Sequence, residues 1–189
     1  MALRSGNESF LNGGQSIGLT LLDFWRFQFS NIFDLQEHIA EFLVAKALEL
    51  DEPHNRDGWT LWDIVYRGIR IEVKETGYYY SWQKNDHKHD TPRSWDIHET
   101  FVKDEKSNPT GQKERQNDIY VFCLNTGETP EDSDPLELTH WEFYVVETAI
   151  LNQKCKDQKS ISLSRVQDLT NKVPYTDLKK AIDALIVEL

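Results

Sequence analysis

The sequence predicts an α/β domain, a mixed central β-sheet flanked by helices. Three observations carry that expectation. A strong helical stripe occupies residues 34–50, strand-like patterns follow at 61–66, 69–73, 94–101, 119–124 and 141–146, and an amphipathic helix closes the chain. Helix, three strands, a polar connection and two further strands form the order of a layered α/β sandwich.

Taken in order, residues 1–18 are rich in Gly, Ser and Asn and read as a poorly ordered leader, with one domain over 19–189. Thr20-Leu-Leu-Asp23 resembles a capping box, and Leu22, Trp25 and Phe29 then fall at helical spacing. The aromatic residues of this helix are expected to pack on the sheet. Asp34 is expected to cap the second helix, whose apolar stripe is Leu35, Ile39, Phe42, Leu43 and Ala47, with Glu41 at its margin. Residues 94–101 alternate as a third strand with Trp95, Ile97 and Phe101 inward. Residues 102–117 read as an exposed connection whose bases, Lys103, Lys106, Lys113 and Arg115, are local candidates for phosphate contact.

Ile119-Tyr-Val-Phe-Cys-Leu124 is a continuous apolar run suited to a buried central strand. Ser164 is the expected cap of a short helix ending at Leu169. Pro174 and Thr176 introduce the last helix, which docks through Leu178, Ala181, Ile182, Leu185 and Leu189.

Composition narrows the function classes. The 189 residues are 39% hydrophobic and include six Trp, which is the make-up of a folded core. No signal peptide or stretch of eighteen apolar residues is present, so a cytoplasmic protein with no membrane partner is expected. Cys123 and Cys155 have neither metal-ligand nor disulfide-framework spacing. A formal net charge of −11 argues against gripping nucleic acid by overall charge, so any such contact must be local.

The chemistry concentrates at 61–73. Two β-forming runs flank Arg67-Gly68, which reads as a two-residue hairpin turn. With that tight turn Tyr66 faces Ile69, Ile64 faces Ile71 and Asp63 faces Glu72. A type I turn with a bulge at Gly68 would instead shift the pairing by one residue. Trp62, Ile64, Tyr66, Ile69, Ile71 and Val73 share an apolar face, while Asp63, Arg70, Glu72 and Lys74 share the other. Two acids facing each other at ~5 Å repel unless a positive charge lies between them. A divalent cation would supply it. So would Lys74, in which case these residues are only the solvated side of a half-buried hairpin. His87 and His89 form an H-x-H pair, read as part of a polar loop for want of a third ligand.

An Asp, eight intervening residues, then Glu-Val-Lys on an apolar strand resembles the signature of the PD-(D/E)XK nuclease superfamily, the restriction-endonuclease-like enzymes. The resemblance covers about residues 34–124, with Trp62 standing where the name-giving Pro would be. It implies a restriction-endonuclease-like αβββαβ core. It also implies Asp63, Glu72, Lys74 and Glu41 as catalytic residues. Mg²⁺, or Mn²⁺ in its place, would be held by Asp63, Glu72, the Val73 backbone carbonyl and Glu41. Tyr80 and Gln83, just past the strand, are the implied substrate contacts.

The implied activity is metal-dependent hydrolysis of phosphodiesters, with DNA as partner and a homodimer or partner subunit compatible with it. The alternative is a noncatalytic nuclease-fold module serving as a protein-interaction or regulatory subunit, which the acidity favours. A glycosidase-like acid pair is the third reading, and it leaves Lys74 unexplained.

Overall fold

The computed structural model describes residues 4–50, 62–80, 92–103 and 109–188. The chain forms two compact units, residues 1–35 and 36–189. That boundary differs from the expected one at 18/19. Within the stretch read as a leader, β1 (Ser9–Asn12) and β2 (Gln15–Thr20) pair as an antiparallel hairpin. Gly13 and Gly14 lie at φ 58° and 84°, the positive values a two-residue type I′ turn requires. Helix α1 (Leu21–Gln28) follows. Its capping box is complete, with Thr20 Oγ1 accepting from the Asp23 N–H and Asp23 accepting from the Thr20 N–H. Phe24, Phe27 and Phe29 are exposed.

The second unit begins with α2 (Gln36–Ala47). Asp34, the predicted cap, belongs to a 3₁₀ turn (Ile32–Leu35) that precedes the helix in the chain. At the other end Glu49 adopts φ 60°, Leu50 N–H reaches back to the Ala45 carbonyl and Glu49 N–H to that of Lys46. This is a Schellman termination with a non-glycine residue in the left-handed position.

Next come β3 (Ile64–Tyr66) and β4 (Ile69–Gly77), paired Tyr66 to Ile69 and Ile64 to Ile71. Arg67 and Gly68 have φ 51° and 83°, so the tight turn forms and the bulged register does not.

The third predicted strand divides into β5 (Ser94–Asp96) and β6 (Thr100–Lys103). Trp95 and Ile97 are buried as expected, whereas Phe101 is exposed. The polar connection contains β7 (Pro109–Glu114), which pairs with β6. The apolar run is β8 (Ile119–Asn125), buried along its length, and it is followed by β9 (Trp141–Glu147). Helix α3 (Thr148–Lys154), strand β10 (Ser160–Ser162), α4 (Leu163–Leu169) and α5 (Tyr175–Glu188) complete the unit. Ser162, not Ser164, caps α4, because its Oγ accepts the Arg165 N–H.

The central sheet has the order β3-β4-β8-β9, with β4 and β8 parallel and the outer pairs antiparallel. β5 stands outside it, paired with β10. Among the described residues the β4-to-β8 crossover contains strands and no helix. One face of the sheet, with Ile64, Ile71, Val73, Val121 and Phe143, is covered by Ala40, Leu43 and Val44 of α2 and by Leu178 and Ile182 of α5. The other face, with Tyr120, Phe122, Tyr144 and Val146, meets Trp95, Ile97, Ile161, Leu151 of α3 and Val166 of α4. The fold is therefore mixed α/β, with helices on both faces of a mixed sheet. Among the described residues no helix is long and apolar enough to cross a membrane.

Candidate functional site

Residues of one strand alternate between its faces, so Ile71 and Val73 enter the core under α2 while Glu72 and Lys74 project from the opposite face. There they are held by a short polar network. Lys74 Nζ lies 2.6 Å from Glu72 Oε1, and Asn117 Nδ2 donates to Glu72 Oε2 at 2.9 Å. Asn117 stands two residues before the start of β8, whose parallel register sets Tyr120 beside Glu72 and brings that strand's entry to the pair.

Burial pushes the Glu72 carboxyl above its ordinary range. Lys74 and Asn117 oppose this, and the negative charge of Asp63 adds to it. For Lys74 burial acts downward, but the Glu72 carboxylate outweighs it and the ammonium holds its proton more tightly than a free lysine.

Asp63 lies just outside the β3 ladder. Its N–H donates to the Ile71 carbonyl at 3.1 Å, and its Oδ2 accepts the Val73 N–H at 2.8 Å. The carboxylate thus continues the edge of β4 where β3 stops. Its charge is felt by Glu72 on one face and by the buried Cys123 thiol on the other. A strand residue presents its N–H and C=O to the same edge, so the Val73 carbonyl turns toward the side where Asp63 stands. Trp62 leaves the apolar face predicted for it and is half-buried, with the Arg70 guanidinium 5.8 Å from its ring centre.

A cleft of about 120 Å³ opens on the Glu72 and Lys74 face, lined also by Asp96, His98, Thr100, Gln116, Asn117 and Tyr120. Of the residues predicted from sequence, Asp63, Glu72, Val73 and Lys74 come together. Glu41 is half-buried on α2, in the helix layer over the opposite face of β4. The Tyr80 hydroxyl accepts the Gly77 N–H at 2.8 Å and lies 3.4 Å from the Glu75 carboxylate, so it stands with Glu75 rather than with Lys74. Gln83, His87 and His89 lie outside the described residues. Arg115, read as a phosphate candidate, is a buried staple. Its guanidinium donates to the carbonyls of Ile97, Lys156 and Gln158 and to Asn152 Oδ1.

Sequence reasoning missed Asn117, Asp96, His98 and Glu75. A signal existed for three of them. Asp96 and His98 alternate with the inward Trp95 and Ile97, and Glu75 sits in the apolar phase of its strand after Ile71 and Val73. Asn117 offered none, because only the parallel pairing of β4 with β8 brings it to Glu72.

The donor set can be tested against a hard divalent ion. Two carboxylates and a backbone carbonyl along one stretch of strand suit Mg²⁺, which takes one or two protein carboxylates and keeps water or phosphate oxygens in its other positions. Among the described residues no group of three or more His, Cys, Asp or Glu could hold a metal ion, so the fit rests on the smaller set of Asp63, Glu72 and the Val73 carbonyl. No family model, no curated protein and no solved structure matches the chain.

Proposed function

We propose that this chain is a divalent-metal-dependent nuclease of the PD-(D/E)XK type, built on a restriction-endonuclease-like core and hydrolysing phosphodiester bonds, DNA being the expected substrate. The observation that carries the reading is Asp63 bonded to the backbone of Val73, between Glu72 and Lys74. Two carboxylates, a turned-out carbonyl and an ammonium are thereby gathered on three consecutive strand residues and one neighbour. Mg²⁺ bound there would polarise the phosphoryl group and lower the pKa of its water.

The protein's own residues divide the remaining work. Asp63 and Glu72 would hold the ion, each placed by a bond to its neighbour, Val73 N–H for the one and Asn117 for the other. Lys74, kept cationic by Glu72, would orient the attacking water and offset the charge that grows on the phosphoryl oxygens. The cleft admits a phosphate-sized group beside them.

A noncatalytic nuclease-fold module is the second reading, favoured by one observation. The Glu72 oxygens are already matched by Lys74 and Asn117, so the pair is internally compensated. Melting with and without Mg²⁺ separates the two. An ion bound at one site and present at 100 times its Kd stabilises the fold by about 2.7 kcal/mol. Asp63→Asn keeps an oxygen for the Val73 N–H but removes the charge, so it should abolish most of that gain. A Tm unmoved by Mg²⁺ and Mn²⁺ in the unaltered protein would favour the noncatalytic module.

A further inference from the structure

Buried Trp95 and Ile97 anchor the segment that crosses in front of β4, and alternation turns Asp96 and His98 the other way, into the cleft that holds Glu72 and Lys74. The two residues are locked together. Asp96 Oδ1 accepts the His98 backbone N–H at 2.8 Å and also closely contacts the ring nitrogen Nδ1 of the same residue. Burial would raise the Asp96 carboxyl, but those bonds from His98, helped by the charge of Lys74, hold it below its usual range. An ionised carboxylate can only accept, so Nδ1 carries a proton and Nε2 is the nitrogen left to act.

Hydrolysis of a phosphodiester between sugars expels an alkoxide, a poor leaving group unless it is protonated as it departs. The other charged groups lining this cleft are already engaged, Glu72 with both Lys74 and Asn117. Arg115 is committed to backbone carbonyls, and Asp96 is ionised.

We infer that His98, oriented by Asp96, is the proton donor to the leaving oxygen of the scissile phosphodiester, an assignment that rests on the nuclease reading. Water adds to phosphorus while the bond from phosphorus to the leaving oxygen breaks. The electron pair of that bond stays on the oxygen, which takes the Nε2 proton and departs as an alcohol. The neutral ring then regains a proton from solvent, to which the attacking water has given one up. His98 is the catalytic residue here, and Asp96 is a positioning residue.

The test compares two oligonucleotide substrates with the same sequence, one ordinary and one whose scissile leaving oxygen is replaced by sulfur, since a thiolate departs without protonation. His98→Gln should slow cleavage of the ordinary substrate about 10²- to 10³-fold and of the sulfur substrate less than about 3-fold. Asp96→Asn should show the same selectivity with a smaller loss. Equal slowing of both substrates, or slowing of neither, overturns the role of His98 and leaves the nuclease reading standing. Failure of the unaltered protein to cut either substrate with Mg²⁺ or Mn²⁺ overturns both.

Discussion

Glu75 offers the sharpest quantitative prediction. It follows Lys74 on β4 but occupies the apolar phase of the strand, and burial pushes its carboxyl up to about 8. The Tyr80 hydroxyl opposes that rise, and the negative charge of Glu37 adds to it. The surroundings suit a protonated acid. Among the described residues the Gln36 side-chain carbonyl oxygen is buried without a donor, and it stands with Glu75 Oε1 around the Cα of Gly77, at 3.0 and 3.5 Å from where a Cβ would be.

Because the folded state keeps this proton to higher pH than the unfolded chain, stability is lost as pH rises from 4.5 toward 8. The slope is about 1.4 kcal/mol per pH unit, amounting to about 5 kcal/mol over the whole interval. Glu75→Gln is isosteric with the protonated acid and cannot ionise. Urea denaturation of both proteins at pH 5.5, 6.5 and 7.5 should therefore show the variant gaining on the native chain by about 2 to 3 kcal/mol across the two units. A difference in stability that stays constant with pH would refute the buried, protonated Glu75.

Two further outcomes concern the polar interior. Arg115→Met removes a guanidinium that serves three carbonyls and one amide, and leaving those acceptors buried without donors should cost about 3 to 5 kcal/mol by urea denaturation. A loss below about 1 kcal/mol would mean that the loops it ties are held by other contacts. Lys74→Met should destabilise by exposing the repulsion between Glu72 and Asp63, and adding Glu72→Gln should recover most of the loss. A double-mutant cycle should return a coupling of about 1 to 3 kcal/mol, and a coupling near zero would mean that the ion pair is incidental.

The hairpin at the centre of the site was legible because its signals are local. Arg67-Gly68 between two alternating runs sets both the turn and the register, and the pairing found is the one those residues imply. The capping box at Thr20 and Asp23 and the apolar run of β8 were equally local. The misses are non-local. Alternation at Trp95 and Ile97 announces a strand but not its neighbour, and β5 pairs with β10 instead of joining the sheet.

Strands β1, β2 and β7 expose nearly every side chain, so no buried face imposes an alternating pattern on their sequences. Residue type misleads at Arg115, Gln116 and Asn117, which read as an exposed connection and are buried. Within the site, Glu72, Val73 and Lys74 follow from the strand's period. The bond from Asp63 to the Val73 backbone does not, because it forms where the ladder of β3 has ended.

The central claim is that Asp63, Glu72 and Lys74 form a metal-dependent hydrolytic site. The most direct measurement is cleavage by the purified protein of supercoiled plasmid, linear duplex, single-stranded DNA and RNA with Mg²⁺ or Mn²⁺, run beside a chelator control and Lys74→Ala. Cleavage that requires the metal and disappears with the substitution is the predicted result. Metal-dependent cleavage undiminished in Lys74→Ala, or no cleavage of any of these substrates by the unaltered protein, would contradict it.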